Sequence, residues 1–422
     1  MQPASEPPAA RPAPLPAQPD IPAAAWEAAA LLPDVPGPTD LQRLRARNPT
    51  LATEHWTFVV NQTLLRRRAT TKLGPEAARM LLTADGLEQA SRPAVAVRRF
   101  RDLHRQGWRS VLDLGCGIGV DAAAAAREGL AVVAVEQDGT AAMSAAHNLA
   151  ALAPHAPARV VRADACEWVA LQQDGGAVVY LDPGRRRGHH RDGTTRRVGD
   201  PAQWQPPWPW IEAFARDHPA TVVKVAPGID RDLVGRDVAV EWLSVGGNLV
   251  EADLWFPAVR NGRPARSAVL LTPTADPWTP GPSRTLHGDG EPAPVAPLGA
   301  WLLEPDPAVI RSGLVGDLAV RVGAGSTSDG IAYLTGDGPV PAGWGRVSRI
   351  LDVLPARTKL LRARLRGLGL RPTEIRTRGL NLDPQRLRGE LPGSGAPAAL
   401  VMTRVAGEPV ALLVDDEPVP GA

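Results

Sequence analysis

Cysteine and lysine are among the scarcest residues of this 422-residue chain. Two cysteines, Cys116 and Cys166, cannot build a disulfide framework or a zinc site, which fits a reducing compartment. Lysine occurs only at 72, 224 and 359, so the positive charge is almost all arginine. With abundant Ala, Gly and Pro, that bias reflects coding composition as much as function. No apolar run reaches the roughly 18 residues of a membrane span, and no charged-then-apolar leader opens the sequence. A soluble, cytoplasmic protein of two or three domains is therefore expected. The formal net charge of +2 conceals a strong local imbalance near the C-terminus.

What is present is organised around Val111 to Asp121, VLDLGCGIGVD. An apolar run broken by one acid, then glycines at 115, 117 and 119, predicts a buried strand ending in a tight turn that opens a helix. Ala122 to Ala126 favours that helix. Gly115 and Gly117 let backbone approach a nucleotide-like ligand. The spacing is G-x-G-x-G, and Val120 stands where a dinucleotide fingerprint has its third glycine. Asp113 beside the glycines would repel a pyrophosphate but suits a ligand carrying an amino group and a sulfonium. The spacing resembles motif I of the class I S-adenosylmethionine-dependent methyltransferases. On this stretch alone, a nicotinamide or flavin Rossmann domain and a bland βα turn stay open.

Residues 1–38, rich in Pro and Ala, read as a disordered tail in which Ala23 to Leu32 can form a short helix. Leu41, Leu44, Leu51, Leu64, Leu65, Ala77, Leu81, Leu82, Val95, Val97 and Phe100 give residues 39–106 helical periodicity. Arg66, Arg67, Arg68 and Lys72 form a basic cluster there, read as a solvated surface ahead of a phosphate contact. Strands and helices then alternate as in a doubly wound sheet. The second strand ends at Glu136, placed to accept from ribose hydroxyls in either cofactor class, unless it and Asp138 merely cap the next helix. Asp164 follows the third strand, and three strand-end acids, Asp113, Glu136 and Asp164, face one crevice.

The fourth strand runs into Asp182, Pro183, Gly184 and Arg185, where amino-group methyltransferases carry D/N-P-P-Y/F/W; the stacking aromatic is missing here. A basic loop, Arg185 to Arg197, and Trp204, Trp208 and Trp210 follow, with nucleic-acid contact and proline-packed core as competing readings of the tryptophans. His189 and His190 have no third ligand at metal spacing, so no metal site is expected. Val222 to Ala226, Trp242 to Val245, Glu251 to Phe256 and Ala268 to Thr272 complete a sheet read as seven-stranded with a terminal hairpin. LTADGLEQAS, VLDLGCGIGVDA, YLDPGRRR, VVKVAPGID, LLEPDPAVIRSGLVGDLA and RTRGLNLDPQRLRGEL together make the chain resemble class I methyltransferases with a THUMP-like C-terminal domain, relatives of trimethylguanosine synthase-like RNA methyltransferases. Where that family reads Asp-Pro-Ala-Arg, this chain has Gly184.

The resemblance implies an α/β, Rossmann-like methyltransferase domain over 107–275, an inter-lobe segment over 276–345 and a basic α/β THUMP-like domain over 346–418. It implies S-adenosylmethionine as cofactor, held by Asp113, Leu114, Gly115, Gly117, Gly119, Glu136, Gln137, Asp164 and Ala165. Asp182 and Pro183 would orient the acceptor, and Arg185 would bind substrate. From Arg346 to Arg388 twelve Lys and Arg face three acids, a balance of +9. The leucines of Pro355 to Leu368 predict an apolar face and its arginines a solvated one, suited to an RNA backbone. A cytosine-C5 mechanism needs a thiolate nucleophile, and neither cysteine is well placed for it. Direct transfer to N or O, with RNA as the substrate, is thus the expected function. An inactive RNA-binding protein, or a protein or small-molecule methyltransferase, are the alternatives.

Overall fold

The computed structural model describes residues 13–17, 21, 23–33, 35–47, 49, 52–169, 176–184, 186–189, 195–197, 200–338 and 340–416. Two compact units divide the chain: Met1–Val225 with Asp253–Asn261 and Pro273–Gly281, and Ala226–Ala252 with Gly262–Thr272 and Pro282–Ala422. Among the described residues no helix is long and apolar enough to cross a membrane.

The first unit begins with helices Ala23–Ala30, Pro38–Arg47 and the long Thr53–Leu73, then Ala84–Gln89 and Pro93–Arg105. The last starts on Pro93 at its first turn, where a missing N–H costs nothing, and turns Val95, Val97, Phe100 and Leu103 inward. Of the cluster at 66–72, Arg68 is exposed as a solvated surface would have it, whereas Arg66, Arg67 and Lys72 are half-buried and bonded to neighbouring backbone. Arg66 donates to the Met80 carbonyl at 2.8 Å and lies over the Trp26 ring, Arg67 donates to Ala30, and Lys72 to Leu87 at the end of Ala84–Gln89. These cations bind the helices to one another.

Nine strands make the larger sheet: β1 Ser110–Leu114, β2 Ala131–Glu136, β3 Ala158–Arg162, β4 Val178–Leu181, β5 Thr221–Val225, β6 Ala239–Val245, β7 Asn248–Trp255, β8 Arg266–Leu271 and β9 Ser283–His287. Their order, β9-β8-β6-β7-β5-β4-β1-β2-β3, reverses beside β1, which pairs in parallel with both β2 and β4. Gly246 and Gly247, both at positive φ, turn the β6–β7 hairpin. The sheet exceeds the expected seven strands: the segments named from the sequence supply eight, the last of them β8, parallel to β6, and β9 adds antiparallel to β8. The sequence hid β9 because Ser283–His287 is an exposed edge strand with one buried residue, Leu286.

A second, seven-stranded sheet uses β10 Trp301–Pro305, β11 Gly325–Ser326, β12 Leu334–Gly336, β13 Gly345–Pro355, β14 Leu370–Thr377, β15 Ala396–Val405 and β16 Glu408–Asp416, in the order β11-β12-β10-β13-β16-β15-β14. Strands from the expected inter-lobe segment are therefore integral to it. Alternation sorts its residues: Leu400, Met402, Ala411 and Leu413 pack with Leu361, Leu365 and Leu387 of helices Thr358–Gly367 and Pro384–Glu390, while Val401, Leu412 and Val414 pack with Leu302 and Tyr333 on the other face. Arg346, Arg376 and Arg378 are paired with Glu374, Asp416 and Glu304. Arg349, Arg357, Lys359, Arg366 and Arg388 stay exposed.

Candidate active site

In an open parallel sheet, ligands bind beyond the carboxyl ends of the strands where the order reverses. A cleft of about 810 Å³ lies there, at the upper end of the range for small-molecule sites. Asp113, Gly115, Gly117, Glu136, Gln137, Asp164, Ala165 and Asp182 line it. Leu114, Gly119 and Pro183 do not. Leu114 points into the core, and a Cβ on Gly119 would come 3.1 Å from Ala145, so that glycine serves helix packing. Arg185 lies outside the described residues, as do 190–194, 198 and 199 of the basic loop; 186–189 and 195–197 pair as a two-stranded ribbon.

The turn after β1 is held by its neighbours. Gly115 and Cys116 both donate to the Val135 carbonyl, and Gly117 donates to Glu136 Oε2 at 2.9 Å. Asp138 N donates to the other Glu136 oxygen at 2.8 Å, so each oxygen anchors backbone and keeps a second lone pair for a ligand. Asp138 itself caps the following helix through Ala141 N. Asp164 Oδ1 caps Ala165–Val169 through Cys166 N and Glu167 N. A Cβ on Gly117 would meet nothing within 4 Å, which leaves open space over the turn.

Asp113 is the anomaly. It is 1% exposed, and neither carboxylate oxygen has a partner among the described residues. Burial, with the carboxylates of Asp121 and Asp182 nearby, pushes its pKa well above the ordinary carboxylate value, against a smaller opposing pull from Lys224. Such a group is costly unless a ligand satisfies it.

Beneath the cleft runs a buried polar chain that sequence patterns did not disclose. Asp182 pairs with the ammonium of Lys224, which donates to Ser91 Oγ at 2.9 Å. Ser91 donates to Asp121 at 2.7 Å, and Arg99 donates to Asp121 at 2.7 Å and to both oxygens of Asp253 at 3.0 Å. Burial would raise the pKa of Asp121, but Lys224 and Arg99 outweigh it and hold the group below its usual value. The one available signal was a charge, Lys224, inside the uniformly buried strand TVVKV.

A second wall was also missed. Thr83, Ala84, Asp85, Gly86, Gln89 and Ala90 line the cleft. They are placed by Gln62, which exchanges two bonds with Leu82, and by Asn148, which bonds Leu81 twice and the Ile118 carbonyl once. A third wall returns from downstream: Gly184 and Gln205 exchange backbone bonds at 2.7 and 3.0 Å, bringing Gln205, Pro206 and Pro207 to the cleft. Trp204 and Trp208 are buried edge-to-face, and half-buried Trp210 stacks on Phe214, so the core reading holds for the first two.

A Gly-turn cleft at the sheet's reversal, ringed by strand-end acids rather than phosphate-binding groups, defines an adenosyl-cofactor enzyme of the doubly wound class. Residues 96–192 match the family described as methyltransferase small domain, and residues 345–416 that described as THUMP domain-like. Uncharacterised S-adenosylmethionine-dependent methyltransferases from two strains of Mycobacterium tuberculosis are each 36% identical to the chain over 361 residues, covering 82% of it and 92% of the relative. A crystal structure from Porphyromonas gingivalis, described as a methyltransferase, shares the fold with a TM-score of 0.68 at 18% identity, covering 87% of this chain and 92% of that one. The chain belongs to the S-adenosylmethionine-dependent methyltransferases, and carries a THUMP-like domain at its C-terminus.

Proposed function

We propose that the protein methylates RNA by direct transfer from S-adenosylmethionine to a nitrogen or oxygen. The observation that carries the cofactor's placement is Asp113: two buried, unpartnered carboxylate oxygens beside an open glycine turn fit the ammonium of the cofactor's methionine portion. Glu136 keeps a lone pair on each oxygen for ribose hydroxyls, and Asp164 and Ala165 border the adenine end. When bound, the cofactor supplies a sulfonium methyl group for one in-line displacement.

Asp182, paired to Lys224 but still 24% exposed, orients the acceptor from the cleft's other side. Neither cysteine supplies a nucleophile. Burial pushes the Cys116 thiol well up, reinforced by Asp113 and Glu136, and burial with Asp164 and Glu167 raises Cys166 to about 11. RNA as substrate is supported by the THUMP-like match and by the exposed cations on and around helix Thr358–Gly367.

Calorimetric titration with S-adenosylmethionine, beside an Asp113→Ala variant, tests the cofactor site. Micromolar binding lost in the variant is expected. A labelled-methyl screen of total cellular RNA against total protein then tests the acceptor, and label in protein alone would overturn the RNA reading.

A further inference from the structure

With Asp182 facing the acceptor, what Lys224 does to it decides which acceptors the cleft can take. Lys224 is the penultimate residue of β5, with its side chain 5% exposed and its ammonium in contact with the Asp182 carboxylate. A lone buried ammonium is expensive, and this one is built in on a second side through Ser91 to the Asp121–Arg99–Asp253 chain. The four carboxylates of Asp113, Asp121, Asp182 and Asp253 share two cations, Arg99 and Lys224, within this system. Arg99 is divided between Asp121 and Asp253, and Asp113 at the methionine end has no cation in contact among the described residues, whereas Asp182 at the acceptor end has the Lys224 ammonium directly against it.

We propose that Lys224 is a specificity-determining residue which, by neutralising Asp182, tunes the acceptor point for a neutral N–H or O–H group such as a nucleobase edge and against a cationic amine. Asp182 keeps free lone pairs to accept a hydrogen bond, so it still orients an acceptor. It offers no net negative charge to hold an ammonium, and that removes the main attraction for a lysine side chain or a polyamine. This inference rests on the cofactor lying in the cleft with its transferable group toward Asp182.

Two non-reacting analogues test it without an identified substrate: S-adenosylhomocysteine, neutral at the transfer point, and sinefungin, which carries an amine there. The ratio of their affinities measures the charge that the acceptor point presents. Lys224→Met, which unmasks Asp182, raises the preference for sinefungin about tenfold or more, as expected for one unit charge removed a few ångströms away at the effective dielectric of a partly buried site. Lys224→Arg leaves the ratio near that of the wild type, and Asp182→Asn, which leaves the ammonium alone, drives it below. S-adenosylhomocysteine binding by each variant shows that the cleft is folded. Lys224→Gln, which keeps a hydrogen-bond donor in place but removes the charge, shifts the ratio in the same direction if Lys224→Met fails to fold. An unchanged ratio in Lys224→Met, or in Lys224→Gln should Lys224→Met not fold, overturns the proposal. Failure of the wild type to bind S-adenosylhomocysteine would instead overturn the cofactor reading on which it rests.

Discussion

Asp113 should make cofactor binding release a proton. In the free protein its buried, unpartnered carboxyl holds a proton to higher pH than an ordinary carboxylate, first because of burial and then because Asp121 and Asp182 stand near. Pairing with the cofactor's ammonium requires the ionised form, so the bound-state pKa falls below the free-state one. The sign follows: affinity rises with pH from the ordinary carboxylate range up to the raised value, by at most about tenfold per pH unit, and is flat above it. The same raised pKa makes the cofactor-free fold lose stability as pH rises through that value. Glu136, also raised by burial, contributes with the same sign, so the decisive quantity is the difference between wild type and Asp113→Asn. That variant forfeits a charge-assisted hydrogen bond, about 1.5–3 kcal/mol or roughly 10- to 150-fold in affinity at pH 8, and less as pH falls. Calorimetric titration with S-adenosylhomocysteine between pH 5 and 8, repeated in buffers of different ionisation enthalpy, counts the protons directly. Equal slopes in wild type and Asp113→Asn would refute the reasoning.

Gly86→Ala places a Cβ 2.3 Å from Ile118 Cγ2 and 2.6 Å from Thr83 Oγ1; overpacking of about 1–3 kcal/mol should outweigh the helix-propensity gain, seen as a lower midpoint in thermal unfolding and weaker cofactor binding. Arg99→Met removes the buried cation that Asp253 and Asp121 share and should cost about 3–5 kcal/mol in denaturant unfolding. Reversing Arg357, Lys359 and Arg366 to Glu should leave S-adenosylhomocysteine binding untouched while weakening RNA binding and reducing its salt slope by about one for each phosphate no longer neutralised, read by titration at several salt concentrations.

Local chemistry is what a sequence displays, and the parts of this site that were legible are local. The β1 turn, the acids at the tips of β2 and β3, and the Asp182 turn each announce themselves within a few residues of a strand end. Ser91, Asp121 and Lys224 are 30 or more residues apart along the chain, and their meeting depends on how the turn before helix Pro93–Arg105, helix Val120–Arg127 and β5 pack. No periodicity encodes that. Edge strands such as β9 escape for another reason, since one buried residue in five leaves no alternation to read. The cluster at 66–72 misled because arginines that bind carbonyls of neighbouring helices look, in one dimension, like arginines in water.

Gln62 and Asn148 hold the wall that Thr83 to Ala90 contributes to the cleft. Six of the residues that line the cleft come from Thr83 to Ala90, and the rest from Asp113 onward. The N-terminal helices are therefore part of the cleft's wall rather than an appendage to the sheet, and a change at Gln62 or Asn148, neither of which lines the cleft, acts on its shape through the backbone of Leu81 and Leu82.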